Sequence, residues 1–355
     1  MYVLFLVNFL NIFKNINKEG RTTMNVNKET DKVDTLSFLI LLDKVIDKSI
    51  IEKIKSKLKK QYNDIDNEYY YTGNYKKYSF YYKTRFNSLI ITLKHNLVIG
   101  KTDTQITEET KNNISNYFKI STNEIEIEKL NRIDYKKDYI IKEPEEKLII
   151  QNIFSKTINK IGKNYNKNIT NEEFYKIKYS SNKSGYIEII GYDKSEEIKV
   201  ANKKRKEPKS EIDKYKGVFR IELRVKNKRL NYEKYRYGVE KDIANYYDSI
   251  MAGIFFKKYI HKILGTQRFY RIDVAIKKVE QAEELKESMK NKLIKLLEDV
   301  NRNGYTATME SYSNKKTFKD HINRLEKLQI NVLTFDTVIN NKNIHNESMD
   351  NFGLL

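Results

Sequence analysis

Apolar and polar positions alternate over the first two thirds of the chain, a pattern that predicts β-strands. Val33 to Leu42 (VDTLSFLILL) is apolar and β-branched and predicts the first strand. The tyrosine-rich run YYYTGNYKKYSFYYKT predicts a hairpin that turns at Gly73 and Asn74, because Gly-Asn pairs favour tight turns. The same reasoning predicts further strands over 88–100, 125–134, 185–194 and 218–225.

Helical periodicity appears between these strands and dominates after Tyr235. The predicted helices are 48–62, 107–118, 144–162, 240–262, 276–301 and 314–328. The charged segment from Lys194 to Lys216, which contains Pro208, predicts a solvated loop. The order of elements predicts an α+β protein, with an antiparallel sheet flanked by helices and a mainly helical C-terminal region. We expect a poorly defined extension over 1–30, a sheet domain over 31–234 and the helical region over 235–355.

The first 13 residues are almost all apolar, but the stretch is too short to span a bilayer and no basic region precedes it. Three interpretations compete: a packing or interfacial helix, a membrane tether, or codons upstream of a true start at Met24. We favour the third interpretation, and expect a cytoplasmic protein with no membrane association.

The chain carries 68 Lys and Arg against 48 Asp and Glu, a formal net charge of +20, which makes a polyanion the default partner. Lys, Asn, Ile and Tyr are abundant throughout, as an AT-rich genome produces, and this bias contributes to the charge. The absence of Cys excludes disulfides and thiolate metal sites. The GKT at 100–102 follows a predicted strand, but His95 stands where a P-loop needs its first glycine, which excludes a P-loop nucleotide site.

Three predicted strands place polar side chains two residues apart, and therefore on one face of a sheet. The residues are Arg132 and Asp134; Tyr192, Lys194 and Glu196; and Arg220, Glu222 and Arg224. If the strands are neighbours, two carboxylates, a tyrosine and several cations converge. Such a patch suits a divalent cation and a phosphodiester, with the phenolate as nucleophile. The alternative for each segment alone is a surface ion-pair ladder or a packing tyrosine.

Several segments, taken in order, resemble the rolling-circle replication initiators of filamentous phages and related plasmids. They are KVDTLSFLI (32–40), ITLKHNLVIGKTD (91–103), NRIDYKKDY (131–139), YDKSEE (192–197) and VFRIELRVKNKRL (218–230). The resemblance covers about 32–230, and a weaker helical similarity continues to Leu333. It implies a tyrosine nuclease on a five-stranded antiparallel sheet.

The resemblance implies a role for individual residues of this chain. Tyr192 corresponds to the nucleophile, and Asp134 and Glu222 correspond to ligands of Mg²⁺ or Mn²⁺. The wider superfamily is named for a His-hydrophobic-His metal pair, from which this chain departs, because Asn96 and Leu97 follow His95. His95 is therefore either the one imidazole ligand or a hydrogen-bonded turn residue.

These inferences predict an endonuclease that nicks one DNA strand at an origin through a covalent 5′-phosphotyrosine and later rejoins it. Lys194 is expected to stabilise the reacting charge, and Tyr186 is the reserve nucleophile. The alternatives are a non-enzymatic origin-binding protein that recruits host factors, or an inactive prophage remnant. Expected partners are origin DNA, single-stranded or supercoiled, and the host helicase and polymerase. Predicted DNA contacts are Arg132, Arg220, Arg224, Lys203, Lys204, Arg205 and Lys206, and the basic helical region after Tyr235 is the next candidate.

Overall fold

The chain forms two compact units that are each discontinuous in sequence. The computed structural model describes residues 33–41, 48–64, 68–94, 97–127, 129–141, 143–157, 176–180, 186–203, 212–339 and 341–349. Unit 1 comprises residues up to Tyr135 together with Val225–Ala252, and unit 2 comprises Lys136–Arg224 together with the residues from Gly253 onward. The domain boundary predicted between 234 and 235 stays a prediction.

Strands and helices alternate before residue 226, and helices dominate after it, which confirms the predicted α+β class. The strands are β1 (Val33–Leu41), β2 (Lys59–Asn63), β3 (Glu68–Tyr75), β4 (Tyr78–Lys83), β5 (Ser88–Lys94), β6 (Lys129–Ile140), β7 (Lys176–Ser180), β8 (Ile187–Asp193), β9 (Val218–Lys226), β10 (Phe269–Tyr270), β11 (Val338–Ile339), β12 (Lys342–Asn343) and β13 (Ser348–Met349).

The helices are α1 (Lys48–Lys57), α2 (Asp103–Phe118), α3 (Pro144–Thr157), α4 (Lys194–Lys203), α5 (Asn227–Tyr237), α6 (Ile243–Tyr246), α7 (Ser249–Leu264), α8 (Ile272–Glu280), α9 (Glu287–Asn303), α10 (Tyr305–Ser311) and α11 (Lys315–Lys327). None of these described helices is both long and apolar enough to cross a membrane. The single helices predicted over 240–262 and 276–301 are each interrupted, the second between α8 and α9.

The sheet of unit 1 has the strand order β2-β3-β4-β5-β1-β6, and each adjacent pair is antiparallel. Alternation in β1 buries Leu36, Phe38 and Ile40 on the face that carries the core. On the same face of β4, the ring of Phe80 meets that of Phe118 from α2 edge-on, at a centroid distance of 5.1 Å. The apolar alternation of the strands thus builds this core.

The predicted turn at Gly73 and Asn74 is wrong, because both residues lie inside β3. Gly73 is paired with Phe80 of β4, and the turn falls at Lys76 and Lys77, where Lys76 has a positive φ of 53°. Gly73 serves a packing role instead: a Cβ there would lie 2.6 Å from Cδ2 of Leu58. A glycine that permits close approach was therefore mistaken for a turn glycine.

In unit 2 the strands follow the order β6-β9-β8-β7, with the C-terminal part of β6 belonging to this unit. Every residue of β8 is buried, and β8 lies between β9 and β7. The predicted loop from Lys194 to Lys216 is wrong in its first part, because α4 begins directly after β8.

A polar network holds the segment before β11 against α3 and α9 of unit 2. The buried amine of Lys156 donates to the carbonyl of Thr334 at 3.0 Å, to Oδ1 of Asn301 at 2.5 Å, and pairs with Asp336 at 3.2 Å. Asn152 also donates to Asp336 at 2.8 Å. Burial lowers the pKa of Lys156 to about 8, although Asp336 opposes this shift.

Candidate active site

Adjacent strands β8 and β9 bring a tyrosine and a glutamate of unit 2 into direct contact. Tyr192, near the end of β8, donates a short hydrogen bond from its hydroxyl to Oε1 of Glu222 on β9. Both side chains are buried, with Tyr192 only 4% exposed and Glu222 8% exposed. A phenol that donates to a carboxylate can lose its proton to that group and act as a nucleophile.

The alternation of β8 fixes which way the Tyr192 ring points. Its neighbour Gly191 lies on the opposite face, where a Cβ would be 2.8 Å from Cε1 of Phe154 and 3.0 Å from Cζ of Phe219. These two rings pack edge to face with centroids 5.3 Å apart. The aromatic pair occupies the space that a side chain at 191 would need, so α3 lies close to β8 and Tyr192 is held on the other face.

The face predicted for β9 is the one that meets Tyr192. Glu222 contacts Tyr192, and Arg224 donates to Oε2 of Glu188 on β8 at 2.9 Å. Phe219 of β9 instead packs on Phe154. The two-residue spacing thus placed the charged groups of β9 correctly.

Cations surround the Tyr192–Glu222 pair but have partners of their own. Arg220 donates to both carboxylate oxygens of Asp138 on β6, at 2.6 and 2.8 Å, in the bidentate geometry of a strong ion pair. Its guanidinium also lies 5.7 Å from the centroid of the Tyr215 ring. Arg220 is therefore buried and ion-paired within unit 2, and its predicted contact with DNA stays a prediction.

Lys194 lies near Tyr192, although not for the predicted reason. It is the first residue of α4 and does not lie on the strand, so the face-sharing predicted for Lys194 and Glu196 is wrong. The amine of Lys194 nevertheless sits 5.5 Å from the centroid of the Tyr192 ring and donates to Glu197 at 2.8 Å. Tyr186, the reserve nucleophile, lies in the bend before β8 and not in the strand itself.

The strand-to-helix junction after Tyr192 is fixed by Asp193. Its Oδ1 accepts hydrogen bonds from the Ser195 hydroxyl at 2.8 Å and the Glu196 amide at 3.1 Å, while Lys147 of α3 pairs with Oδ2 at 2.8 Å. Burial alone raises the pKa of the Asp193 carboxyl, but these hydrogen bonds outweigh it and lower the pKa. Asp193 therefore stays ionised and holds the start of α4, as helix-capping aspartates do.

Asp134 lies in unit 1, where β6 pairs with β1 opposite Thr35. Arg132 donates through Nε to Oδ1 of Asp134 at 2.7 Å and through Nη2 to Oδ2. Among the described residues, no group of three or more His, Asp or Glu side chains is placed to hold a metal ion. Both oxygens of Asp134 are bonded by Arg132, and Glu222 is bonded by Tyr192, so the described contacts do not form the expected metal site.

Several predicted site residues fall outside the described residues: His95, Lys204, Arg205 and Lys206. Lys203 ends α4, and its side chain is likewise not described. Their predicted roles stay predictions.

Three further residues near the site were not predicted: Asp138, Tyr215 and Glu188. The signal for Asp138 was present, because it lies four residues after Asp134 on the same strand and therefore on the same face. Glu188 is likewise four residues before Tyr192 on β8. Tyr215 belongs to a short helical turn over Asp213–Tyr215, and no local pattern marks it.

The chain matches no model of a known protein family, and sequence comparison with curated proteins gives no match.

Proposed function

We propose that this protein is a rolling-circle replication initiator, a site-specific single-strand DNA endonuclease and strand transferase that acts through Tyr192. The observation that carries the proposal is the hydrogen bond from the Tyr192 hydroxyl to Glu222, with Lys194 beside the ring. The ordered resemblance of five segments to phage and plasmid initiators supplies the substrate class.

In the proposed cleavage step, Glu222 accepts the phenolic proton while the Tyr192 oxygen attacks the scissile phosphorus. The bond between phosphorus and the 3′ oxygen breaks, and that oxygen takes a proton from solvent. The products are a 5′-phosphotyrosine and a free 3′-hydroxyl that primes a polymerase. Rejoining reverses the step: a 3′-hydroxyl gives its proton to solvent and attacks the phosphorus of the adduct, and the Tyr192 oxygen leaves and takes back the proton that Glu222 held. The ammonium of Lys194 stabilises the negative charge on the reacting oxygens.

The role of a divalent cation stays a prediction. Mg²⁺ or Mn²⁺ would polarise the phosphoryl oxygen. Of the carboxylates expected to hold the cation, Asp134 is bonded by Arg132 and Glu222 is bonded by Tyr192. Chelation with EDTA tests the requirement directly.

The proposed partners follow from the resemblance and the charge. They are origin DNA, single-stranded or supercoiled, and the host helicase and polymerase that extend the freed 3′ end, in the cytoplasm of a bacterial host. The +20 net charge supports a polyanionic partner.

A second function, an origin-binding protein without nuclease activity, is favoured by the burial of Tyr192. A side chain only 4% exposed must become accessible before it can reach a phosphorus atom. In this alternative, the Tyr192–Glu222 hydrogen bond only stabilises the β8–β9 pair, and no DNA becomes attached to the protein.

The deciding experiment compares Tyr192→Phe with Tyr186→Phe on a supercoiled plasmid that carries the DNA adjacent to the gene. We expect the wild type and Tyr186→Phe to nick this DNA and to form a covalent adduct visible on a denaturing gel. Tyr192→Phe should bind DNA without nicking, because only the hydroxyl is lost. Nicking by Tyr192→Phe, or loss of nicking only in Tyr186→Phe, would remove Tyr192 from the mechanism. No adduct with any variant supports the origin-binding alternative.

A further inference from the structure

One side of helix α5 carries basic and aromatic side chains that face solvent in unit 1. Lys228, Tyr232, Tyr235 and Arg236 stand at positions i, i+4, i+7 and i+8, which fall on one helical stripe. All four are exposed, and Tyr235 is 85% exposed. We call these four residues the α5 stripe.

The opposite side of α5 is anchored, so the α5 stripe has a fixed position in unit 1. Leu230 and Glu233 are buried, and Glu233 pairs with Arg229. The buried amine of Lys241 donates to Oδ1 of Asn231 at 2.7 Å and also to Oδ1 of Asn227, one turn earlier. A rigid helix with one buried face presents its other face without further ordering cost.

The charge of α5 is complementary to a polyanion. The helix contains Lys228, Arg229, Lys234 and Arg236 against the single acidic residue Glu233. That acid is buried and paired, so the α5 stripe contains cations and no carboxylate. Burial is the main cause that lowers the pKa of Lys241 to about 8, and repulsion from Lys129 and Lys234 lowers it further. This repulsion shows that positive charge is concentrated around α5.

The two tyrosines of the α5 stripe carry hydroxyls that can donate to phosphate, and the Tyr232 ring already packs against other side chains of α5. The guanidinium of Arg229 lies 4.3 Å from the centroid of the Tyr232 ring, and Tyr237 packs against that ring at 6.1 Å. The Tyr232 ring is thus engaged within the protein, whereas the Tyr235 side chain is 85% exposed. Tyrosine hydroxyls and Lys or Arg side chains are common donors to DNA phosphates.

We infer that the α5 stripe binds the phosphate backbone of duplex DNA. From Lys228 to Arg236 the helix rises about 12 Å, close to the width of the major groove of B-DNA. The choice of DNA as the polyanion rests on the proposed function, but the surface lies in unit 1, whereas Tyr192 lies in unit 2. This surface positions DNA without reading its sequence.

The test measures the affinity of the full-length protein for a labelled 20-base-pair duplex of arbitrary sequence over a range of KCl concentrations. It is run in the Tyr192→Phe background as well as in the wild type, so that cleavage cannot alter the probe. The test variant is Lys228→Ala/Arg236→Ala. The matched control is Lys53→Ala/Lys57→Ala, which removes two exposed lysines one turn apart on α1, another basic helix of unit 1.

We expect the α5 variant to reduce the slope of log K against log salt by about 1.8, because each lost duplex phosphate contact contributes about 0.9. The control should leave the slope unchanged. Tyr235→Phe, which removes only the hydroxyl, should weaken binding severalfold without changing the slope. Circular dichroism of each variant verifies that α5 remains folded.

Three outcomes would overturn the inference: an unchanged slope in the folded α5 variant, an equal decrease in the α1 control, or an effect confined to single-stranded DNA or to anionic phosphatidylglycerol vesicles. A changed slope with no adduct in the wild type would keep this surface and reject the nuclease. A covalent adduct in the wild type, together with an unchanged slope in the α5 variant, would keep the nuclease and reject this surface.

Discussion

The hydroxyl hydrogen of Tyr192 points at Glu222, so the proton that must leave already has an acceptor. This arrangement requires two neighbouring strands. Sequence spacing placed Arg220, Glu222 and Arg224 on one face of β9, but the contact with Tyr192 depended on β8 being the neighbour, which spacing does not determine. Spacing could not identify the partners of those residues. The bidentate pairing of Arg220 with Asp138 joins residues 82 positions apart, and a single sequence contains no signal for such a pair.

We predict that Glu222→Gln lowers the nicking rate by at least about a hundredfold, because a positioned general base usually contributes that much. Glutamine can still accept a hydrogen bond but cannot take the proton. Single-turnover nicking rates measure the effect, and the rate should recover as pH rises because hydroxide replaces the base. Recovery on adding Mn²⁺ at constant pH would instead identify Glu222 as a metal ligand.

The control for this prediction is Glu188→Gln on the neighbouring strand. Glu188 is also buried, pairs with Arg224, and lies four residues before Tyr192 on β8. We expect its loss to lower the free energy of unfolding while the nicking rate changes only severalfold. Equal rate losses in the two variants would mean that Glu222 acts through the stability of the strand pair.

Among the secondary-structure elements, strand β8 and the first residues of helix α4 together hold Tyr192 in position. The apolar pattern of the sequence predicted β8. The segment that forms α4 was predicted as a loop because its sequence is highly charged. The capping of α4 by Asp193, with Lys147 pairing from α3, outweighs that local preference. The Asp193 cap is a local signal that the highly charged composition obscured, whereas the Lys147 contact is tertiary and leaves no local pattern. The apolar alternation of β1, β8 and β9 was sufficient to predict these strands.

We predict that Gly191→Ala lowers the free energy of unfolding by about 1–3 kcal/mol, the usual cost of overpacking, because its methyl group would collide with Phe154 and Phe219. Phe154→Leu, which frees space, should recover part of the loss. Chemical denaturation measures both effects. Gly253→Ala is the control, since apart from the neighbouring backbone of α7 no atom lies within 4 Å of the added Cβ, and alanine favours helix. A stable Gly191→Ala protein would show that α3 can move away from β8.

At the scale of the whole molecule, buried titratable groups make stability depend on pH in the alkaline range. In unit 2, the pKa of Lys156 is lowered to about 8 by burial, and burial raises the pKa of Tyr305 to about 12. Between pH 8 and about 10.4, the unfolded chain binds a proton at Lys156 that the folded chain does not, so stability rises with pH. Above pH 10 the unfolded tyrosine ionises while the folded one does not, so stability falls again.

We therefore predict that the free energy of unfolding of unit 2 is greatest near pH 10. Lys156 contributes a rise of about 2–3 kcal/mol from pH 8. Urea titrations from pH 7.5 to 11 measure this profile. Lys156→Gln should flatten the rise, and Tyr305→Phe should reduce the fall. Lys277→Gln, which alters an exposed lysine of α8, is the control. A rise that persists in Lys156→Gln would assign the titration to other groups.

Unit 1 joins residues up to Tyr135 with Val225–Ala252, and this has a consequence for synthesis on the ribosome. The hydroxyl of Tyr135 donates to the carbonyl of Tyr246, 111 residues later, at 2.8 Å. At about 5–20 residues per second, translation of that interval takes about 5–20 s. The ladder from β1 to β5 can pair during this interval, since its strands are consecutive in the nascent chain, but the core around Tyr135 closes only after Tyr246 has left the exit tunnel. A chaperone that recognises exposed apolar strands therefore has its opportunity to bind while the middle of the chain is being made.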